Sequence, residues 1–445
     1  MHSVKSIING KNFIFLLFIF LSSSVRAQDN SPYSRFGLGD IVPNQNILSR
    51  SMGGVSAGFF DPQSLNLINP AAIGGIGSVI FDFAGEIDIR TLKSNISPEK
   101  YSSTNTTISY MQVGFPIAPK KMQAKGNFWG LSFGLRPSTR VAYKIADNMR
   151  IPNIDSSTTT YEGSGGVSQF SLSTALKLKK FSAGVTAGYN FGNRIYSTQR
   201  SIENDSISYY EANKESSIDF GGIYITAGLQ YNIKLSGGNN LNLGAYTTFG
   251  SDMKAKRTSL FETFLNDGDG GIIPVDTVSY IPREKGTIKL PATYGFGFTY
   301  SDSSRHWLVG ADYETTSGSD YRIFGVNDNI QNSYKIRLGL QYFPASAKTL
   351  ASKYFSFVKY RAGFYYGTEP VKIDKQLTQY AFTVGAGFPL TSLQRIRYGE
   401  FAVLNTAIEA GARGNKNSGS IREGLLRFNI GVSMSARWFV KRKYD

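Results

Sequence analysis

Few side chains of this 445-residue chain could carry out catalysis. The chain has no cysteine, and its two histidines are His2 and His306. A thiolate or imidazole metal centre needs several such ligands close together, and a catalytic triad needs a histidine beside its nucleophile. A metal centre of this kind is therefore excluded, and a triad would depend on His306, which we interpret as an interfacial residue. The sequence predicts a protein that is not an enzyme and needs no cofactor or metal.

Acidic and basic side chains form the chemical pattern that remains. They recur two or four residues apart in short segments, and several neighbouring segments carry opposite charges. The residues concerned are Asp82 and Glu86, Asp312 and Glu314, Lys335 and Arg337, Lys359 and Arg361, and Arg427. In a confined space such charges should pair. We expect an ion-pair network that brings Asp82 and Glu86 near Arg427, and an ion-selective channel stays an open alternative.

The elements that must hold these charges are β-strands. In Val79 to Arg90 and Phe181 to Gly192 the apolar residues alternate with period two, which is typical of strands. Such runs are about 10 to 14 residues long, near the ~9–11 that a tilted strand needs to cross a bilayer. We count about fourteen strands, an even number as in bacterial barrels. They lie near 79–90, 104–115, 127–143, 166–178, 181–197, 218–231, 241–262, 287–300, 306–316, 331–342, 356–367, 378–388, 400–411 and 424–439.

The two ends of the chain differ from its strand-rich middle. Residues 1–27 combine lysines with the apolar run Phe13 to Leu21 and end in small residues, which is typical of a signal peptide. Residues 28–77 are polar and Gly-rich but keep apolar side chains, so we expect a plug, or hatch, in the barrel lumen. A disordered periplasmic tail is the alternative. The predicted transmembrane barrel covers residues 78–439, and a basic tail covers 440–445.

The chain is strongly basic. It has 48 Lys and Arg against 32 Asp and Glu, a net charge of +16, and loss of Lys5, Lys11 and Arg26 with residues 1–27 leaves 45 − 32 = +13. Nucleic-acid binding needs a basic face or a folded reader, but these charges are scattered along the chain. We expect no nucleic-acid partner and instead contact with outer-membrane lipid and lipopolysaccharide phosphates.

Connections and tryptophans indicate the orientation of the barrel. The turns at 179–180 and 301–305 are short, as on the periplasmic side, whereas 144–165, 199–217 and 263–286 read as long external connections. All three tryptophans, Trp129, Trp307 and Trp438, fall at the short-turn ends of strands, where an aromatic girdle meets the membrane boundary. The sequence predicts a Gram-negative outer-membrane protein with both termini periplasmic.

The N-terminal segment resembles the hatch of the FadL family. Arg50-Ser51-Met52-Gly53-Gly54, followed by Asn69-Pro70-Ala71 just before the first strand, looks like that family's hatch motif. The family consists of fourteen-stranded barrels, and the resemblance implies that hydrophobic molecules bind in the lumen and leave sideways through a kink in the third strand. Pro137 lies in the third predicted strand and is the candidate kink, since proline cannot donate to a β-ladder.

Two functions stay open. Passage of a hydrophobic or amphipathic compound is the leading hypothesis, although the charged inner positions argue against a purely apolar cargo. The FadL-like family also includes shuttle barrels of a secretion system. The alternative is therefore a non-transporting subunit or shuttle of a larger outer-membrane machine, for secretion or outer-membrane protein assembly, with other outer-membrane proteins as partners. The resemblance also suggests that Trp438-Phe439 is read by the barrel-insertion machinery.

Overall fold

The computed structural model describes residues 31–94, 100–151, 155–203, 209–266, 272–345, 353–373, 375–391, 400–415 and 421–435. Over these ranges the chain is a closed antiparallel β-barrel of fourteen strands, preceded by an N-terminal segment. The predicted signal peptide, the basic tail and Trp438 lie outside the described residues. No helix in these ranges is long and apolar enough to cross a membrane.

The N-terminal segment, residues 31–79, contains only short elements. They are the 3-10 helix Pro32–Arg35, the strand Asp40–Ile41 (β1), the helix Ile47–Arg50 (α1) and the 3-10 helix Pro70–Gly75. The barrel strands follow as Ile80–Ser94 (β2), Lys100–Pro116 (β3), Asn127–Ile151 (β4), Asp155–Leu178 (β5), Phe181–Glu203 (β6), Glu211–Lys234 (β7), Asn240–Thr248 (β8), Ser251–Asn266 (β9), Ile272–Leu290 (β10), Thr293–Ser301 (β11), Trp307–Thr316 (β12), Ser333–Tyr342 (β14), Lys359–Ile373 (β15), Lys375–Pro389 (β16), Phe401–Arg413 (β17) and Ile421–Ser435 (β18).

Minor elements lie in the connections. They are the helix Lys120–Gln123 (α2), the strand Arg322–Ile323 (β13) and the 3-10 helices Ser236–Gly238, Gly318–Asp320 and Tyr354–Phe357.

The predicted fourteen strands are confirmed because two pairs of elements act as single strands. β8 and β9 are interrupted only at Phe249 and Gly250, and β10 and β11 only at Pro291 and Ala292. β8 pairs with β11 and β9 pairs with β10, so the two interruptions lie side by side. Proline removes a donor from the ladder, which explains the break at Pro291. Segment 241–262 is one strand, as predicted.

The long polar connections predicted at 144–165, 199–217 and 263–286 are wrong. Strands continue through them: β4 ends at Ile151 and β5 begins at Asp155, β6 ends at Glu203 and β7 begins at Glu211, and β9 ends at Asn266 and β10 begins at Ile272. These stretches contain Thr, Tyr, Ile and Val, which favour strands, and each stretch pairs with its neighbours. β4 to β10 therefore form a tall wall at the end of the barrel opposite the short turns.

The two faces of the barrel have opposite polarity. The outer face exposes apolar side chains such as Phe83, Leu172 and Ile225, whereas the inner face buries Asp82, Glu86 and other polar groups. This arrangement is the reverse of that in a water-soluble protein and is typical of a barrel surrounded by lipid. Trp129 and Trp307 are on the outer face near the short turns.

Candidate functional site in the barrel lumen

Residues 31–79 contact inward-facing groups around the whole barrel. The Oγ atom of Ser182 in β6 donates to the carbonyl oxygen of Ala71 at 2.6 Å. On the opposite wall, the N–H of Gly53 donates to the hydroxyl of Thr383 in β16 at 2.9 Å. Contacts on opposite walls mean that this segment occupies the space enclosed by the strands.

A glycine lets the segment approach the wall closely. Gly53 has a φ of +66°, and a Cβ there would lie 2.5 Å from the carbonyl oxygen of Leu338 in β14 and 2.6 Å from that of Phe364 in β15. Only glycine adopts this backbone conformation without strain and also fits against two backbone carbonyls. The close docking of the segment against the wall therefore explains why the hatch motif has glycine at position 53.

Helix α1 positions the most deeply placed charge of the segment. The Asn46 side chain caps the helix by accepting from the N–H of Ser49 at 2.9 Å, which satisfies one of the free donors at a helix start. Ile47 packs in an apolar cluster of the inner wall. Arg50 ends the helix, where its Nη1 lies 2.6 Å from Glu86 of β2 and its Nε lies 2.5 Å from Glu409 of β17. Arg50 is 2% exposed.

The ion pairs of Arg50 continue into a network along β2, β17 and β18. Arg427 lies 3.5 Å from Glu409 and 3.3 Å from Asp88, and Arg90 lies 3.0 Å from Asp88. Arg90 also pairs with Asp40 of β1, which Arg413 of β17 binds at 2.9 Å. Arg413 reaches Glu423 of β18 at 2.6 Å. We call these β2, β17 and β18 residues, with Asp40 and Arg50, the charged seam.

Asp82 and Glu86, which were predicted to lie near Arg427, form their direct contacts with other residues. The register sets Arg427 opposite Asp88, one inward position beyond Glu86. Arg50, a residue of the N-terminal segment, takes Glu86 instead. Asp82 accepts hydrogen bonds from the hydroxyls of Ser64, at 2.5 Å, Tyr110 and Ser433. Strand alternation could not anticipate these partners because it carries no information on where the segment docks.

The other predicted charges lie on β12, β14 and β15. Arg337 pairs with Glu314 at 2.8 Å, as the predicted opposition of these strands implies. Lys335 pairs instead with Glu369, at 3.2 Å. Lys359 reaches Asp61 of the N-terminal segment at 2.8 Å.

Two of the predicted charges form hydrogen bonds in place of ion pairs. Asp312 accepts from the N–H groups of Ser56, at 2.5 Å, and Ala57, at 2.8 Å. Arg361 donates to Gln341 at 2.8 Å and to Asn405 at 3.3 Å. Asp312 therefore anchors the N-terminal segment, whereas Arg361 ties neighbouring strands together.

One pKa in the segment reflects its docking. Burial raises the pKa of Asp61, but the ammonium group of Lys359, the charge of Arg361 and the N–H of Gln63 together lower it by more. The pKa of this carboxyl therefore lies below its ordinary value of 3.8.

The Asn69-Pro70-Ala71 motif fixes the last turn of the segment before β2. The Asn69 side chain caps the 3-10 helix by accepting from the N–H of Ala71 at 3.1 Å. Its amide donates to the carbonyl oxygens of Ala57, at 2.7 Å, and Leu229 of β7, at 3.1 Å. Gly228 provides the space that the Asn69 side chain occupies, because a Cβ at this position would lie 2.0 Å from the Asn69 side-chain oxygen. The motif thus ties the segment to itself and to the wall.

Pro137 lies where the barrel wall separates. β4 has a register shift between Pro137 and Thr139. β3 pairs with β4 only from Pro116↔Gly130 to Met111↔Leu135, although both strands continue beyond this point. The N-terminal strand β1 pairs with β4 at Thr139 and Arg140 instead. β3 residues 100–110 and β4 residues 136–151 do not pair with each other, and we call this interruption the lateral gap. Whether Pro137 serves an opening stays a prediction.

A cavity of about 310 Å³ adjoins this shift. Its lining includes the N-terminal residues 41–45, the β4 residues Arg136, Ser138 and Thr139, and the apolar side chains of Leu67 and Leu290. Arg136 donates to the Gln169 side chain at 3.0 Å and to the carbonyl of Asn44 at 2.7 Å. Among the described residues no carboxylate forms an ion pair with Arg136.

Sequence reasoning missed several residues of the site. Arg90 and Glu409 follow the alternation of predicted strands and could have been found by extending the inner face of each strand. Asp40 and Arg136 had no such signal, because one lies in an irregular segment and the other at a register shift.

Comparisons with known proteins support the fold. A family model described as BamG matches residues 10–445. No curated protein matches the chain. Among solved structures, the P. putida toluene transporter TodX is 14% identical, covering 90% of this chain and 100% of its own, with a TM-score of 0.55. The Ralstonia pickettii toluene transporter TbuX is 14% identical (89% and 99% covered, TM-score 0.53). A Pseudomonas aeruginosa FadL homologue is also 14% identical (89% and 98%, TM-score 0.53).

At this identity the likeness concerns the fold. The resemblance to FadL-type barrels inferred from the hatch motif is confirmed at that level. Barrels of this kind are typical of the outer membrane of Gram-negative bacteria, and two of the three named structures are of toluene transporters.

Proposed function

We propose that this chain, which belongs to the BamG family, passes a small amphipathic compound from its lumen cavity sideways through the lateral gap. The solved structures that share its fold include toluene transporters, which favours transport among the functions that the fold permits.

The observation that carries this proposal is that cavity and gap meet. Ser138 and Thr139 line the cavity and also lie at the register shift of β4, just beyond the last β3–β4 pair. On the outer face Met111 and Leu135 expose apolar side chains at this point. Other parts of the cavity are lined by ion-paired side chains such as Glu409 and Arg427. A compound at the Ser138 and Thr139 end of the cavity, however, has the apolar outer surface of the barrel beside it.

Arg136 supports an amphipathic cargo with an anionic head. It lines the cavity, and its described hydrogen bonds go to neutral acceptors. A guanidinium that lacks a carboxylate partner in a confined site favours a carboxylate or phosphate ligand.

We infer the orientation from the ends of the barrel. Short turns are typical of the periplasmic side, and the turn at Lys179 and Lys180 lies at the end opposite the tall wall. In this orientation the tall wall extends to the outside of the cell. The N-terminal segment then lies in a lumen that is reached from the periplasm. The outer leaflet, with its lipopolysaccharide, then surrounds the lateral gap.

The first experiment compares an acid with an alcohol of equal length. We expect octanoate, but not octanol, to bind about 10-fold more weakly to Arg136→Gln, because a hydrogen bond to a charged group is lost. Isothermal titration calorimetry on the protein in detergent measures both ligands, and Arg136→Lys is the control that keeps the charge. An absence of octanoate binding to the unmodified protein, or equal weakening of both ligands, would overturn the proposal.

A second experiment tests the sideways exit. The chain has no cysteine, so Ile108→Cys, in the β3 part of the gap, and Leu135→Cys, at the last β3–β4 pair beside it, can be joined by a reducible cross-linker. We expect uptake of octanoate into proteoliposomes to stop on cross-linking and to return on reduction. Unchanged uptake would show that the gap is not the exit.

One observation favours a second candidate, a non-transporting subunit of a larger outer-membrane assembly. Arg50 is held by two buried carboxylates, an arrangement that suits a fixed lumen better than a moving plug. Native mass spectrometry of the protein extracted from its own membrane distinguishes the two. A lone barrel with a releasable amphiphile favours passage, whereas a stoichiometric complex with other outer-membrane proteins and no ligand favours the subunit.

A further inference from the structure

Lysines gather on the outer face of β9 and β10, just above the apolar band. Along β7 the outward side chains Leu229, Ile225 and Ile223 are exposed and apolar. They are followed by Gly221 and Asp219, which pair with Lys254 and Lys256 of β9. The lysines therefore begin one row beyond the last apolar side chains, at the height where lipid headgroups start.

Two of these lysines oppose each other directly. Lys256 of β9 pairs with Lys285 of β10, and Lys254 lies two residues away on the same face. Like charges directly opposite in a ladder are destabilising unless a counter-charge intervenes. In the part of the chain that the structure describes, no carboxylate lies within ion-pair distance of Lys254, Lys256 or Lys285. The three lysines and Asp219 leave a local charge of +2 (3 − 1).

A groove with aromatic walls runs beside the lysines. It encloses about 960 Å³ and is lined by Tyr189, Phe191 and the three lysines, among others. Gly221 provides the space beside the Tyr189 side chain, because a Cβ at this position would lie 2.5 Å from the Tyr189 hydroxyl. This hydroxyl has no hydrogen-bond partner among the described residues, so it can donate to a ligand oxygen.

We propose that this groove binds a phosphate group of the outer-leaflet glycolipid, the lipid A part of lipopolysaccharide. A phosphate monoester carries a charge of about −1.5 to −2, which matches the local +2. Lys256 and Lys285 would share the phosphate and lose their mutual repulsion. The acyl chains would continue down the apolar face past Tyr189 and Phe191. The site rests on the proposed orientation of the barrel, but not on passage through the lumen.

The test uses the full-length protein, stripped of lipid in detergent and titrated with lipid A in native mass spectrometry. We expect Lys256→Gln with Lys285→Gln to weaken binding about 30-fold, since each lysine near a charged lipid surface contributes roughly a factor of five. Lipid A without its phosphates should bind the unmodified protein as weakly as that variant binds lipid A.

The chain offers a matched control on the opposite side of the barrel. Lys93 of β2 and Lys100 of β3 also oppose each other, and the variant Lys93→Gln with Lys100→Gln removes the same charge. We expect this control to keep the affinity for lipid A. Equal weakening of both variants would reduce the effect to general attraction between a basic barrel and an acidic lipid, and would overturn the site.

Two further probes identify the source of the phosphate. Inorganic phosphate should compete only weakly, because it lacks the acyl chains that contact the aromatic wall. Displacement of lipid A by millimolar phosphate alone would overturn the lipid assignment. A preference for phosphatidylglycerol over lipid A would locate the groove at the inner leaflet and overturn the orientation, while octanoate binding to the lumen would be unaffected.

Discussion

The charged seam and the lateral gap lie on neighbouring strands but are held in opposite ways. At the seam, β18 pairs with β2 without a shift from Ile421↔Ser94 to Met434↔Phe81. At the gap, pairing between β3 and β4 stops at Met111↔Leu135. β2 thus forms a continuous ladder with β18, whereas its other neighbour, β3, forms an interrupted ladder with β4.

The N-terminal segment accounts for part of this difference. At the seam it contributes Arg50 and Asp40, whose ion pairs join the barrel strands β2 and β17. At the gap it contributes β1, which pairs with β4 at Thr139 and Arg140. The same segment therefore joins barrel strands at the seam by ion pairs. Beside the gap it pairs with β4, where β4 no longer pairs with β3. A barrel with a filled lumen can keep an opening in its side because the lumen contents hold the wall elsewhere.

The largest effect that we expect is from Arg50→Met. The substitution leaves Glu86 without an ion-pair partner in the described region, and breaking a buried pair costs about 3–5 kcal/mol. Urea unfolding in detergent and trypsin cleavage of the N-terminal segment measure the loss. Arg136→Met is the control at the gap, and we expect it to cost less than about 2 kcal/mol because no carboxylate is left unpaired. Equal losses would mean that the seam is no stronger than the gap.

A smaller effect is expected from Gly53→Ala. A methyl group there meets two backbone carbonyls and also strains a positive φ, so we expect a loss of about 2–3 kcal/mol. Gly126, between α2 and β4, has a φ of +73° and nothing within 4 Å of its Cβ position. Gly126→Ala therefore isolates the backbone strain, at about 1 kcal/mol. If both variants lose the same stability and the same protection of the segment from trypsin, close docking at Gly53 contributes nothing.

Strand alternation was sufficient for the barrel but not for its contents. The inner and outer faces of β2 and β6 follow from period two alone, and the strand count required only that 241–262 be read as one strand. The same period-two alternation continues in the stretches beyond the membrane, which contain Thr, Tyr and Ile. The sequence predicted loops there because these stretches are more polar than the strands within the membrane. Polarity there reflects water on both faces of the tall wall rather than an end of pairing.

The site was less predictable because it depends on docking. Lys359 and Asp61, or Arg50 and Glu409, are far apart in sequence and belong to different kinds of element, so no spacing rule connects them. Arg337 and Glu314 were predictable because they lie on strands paired with each other. The hatch motif indicated which residues would matter, but the contacts of Asn69 and Gly53 depend on wall carbonyls that any sequence could supply.

The smallest effect that we expect concerns pH. Burial raises the pKa of Asp61 in the folded protein, but Lys359, Arg361 and the N–H of Gln63 together lower it below its ordinary value. A lowered carboxyl pKa stabilises the folded state above the unfolded pKa, near 3.8, and this stabilisation is lost as the pH falls through the folded pKa. Lys359→Gln removes the strongest of the influences that lower the pKa of Asp61 and leaves the effect of burial, so this pKa rises. Pepsin should then cleave the N-terminal segment at a pH higher by about one unit or less.

Lys335→Gln is the matched control for this last prediction. Lys335 and Lys359 have side chains with the same 22% exposure, and each pairs with one carboxylate. Lys335 pairs with Glu369 on the barrel wall, however, whereas Lys359 pairs with the segment. We expect the control to leave the pH of pepsin cleavage unchanged. An equal shift in both variants would mean that the segment responds to the overall charge of the lumen, and the Asp61–Lys359 pair would then not be a specific anchor.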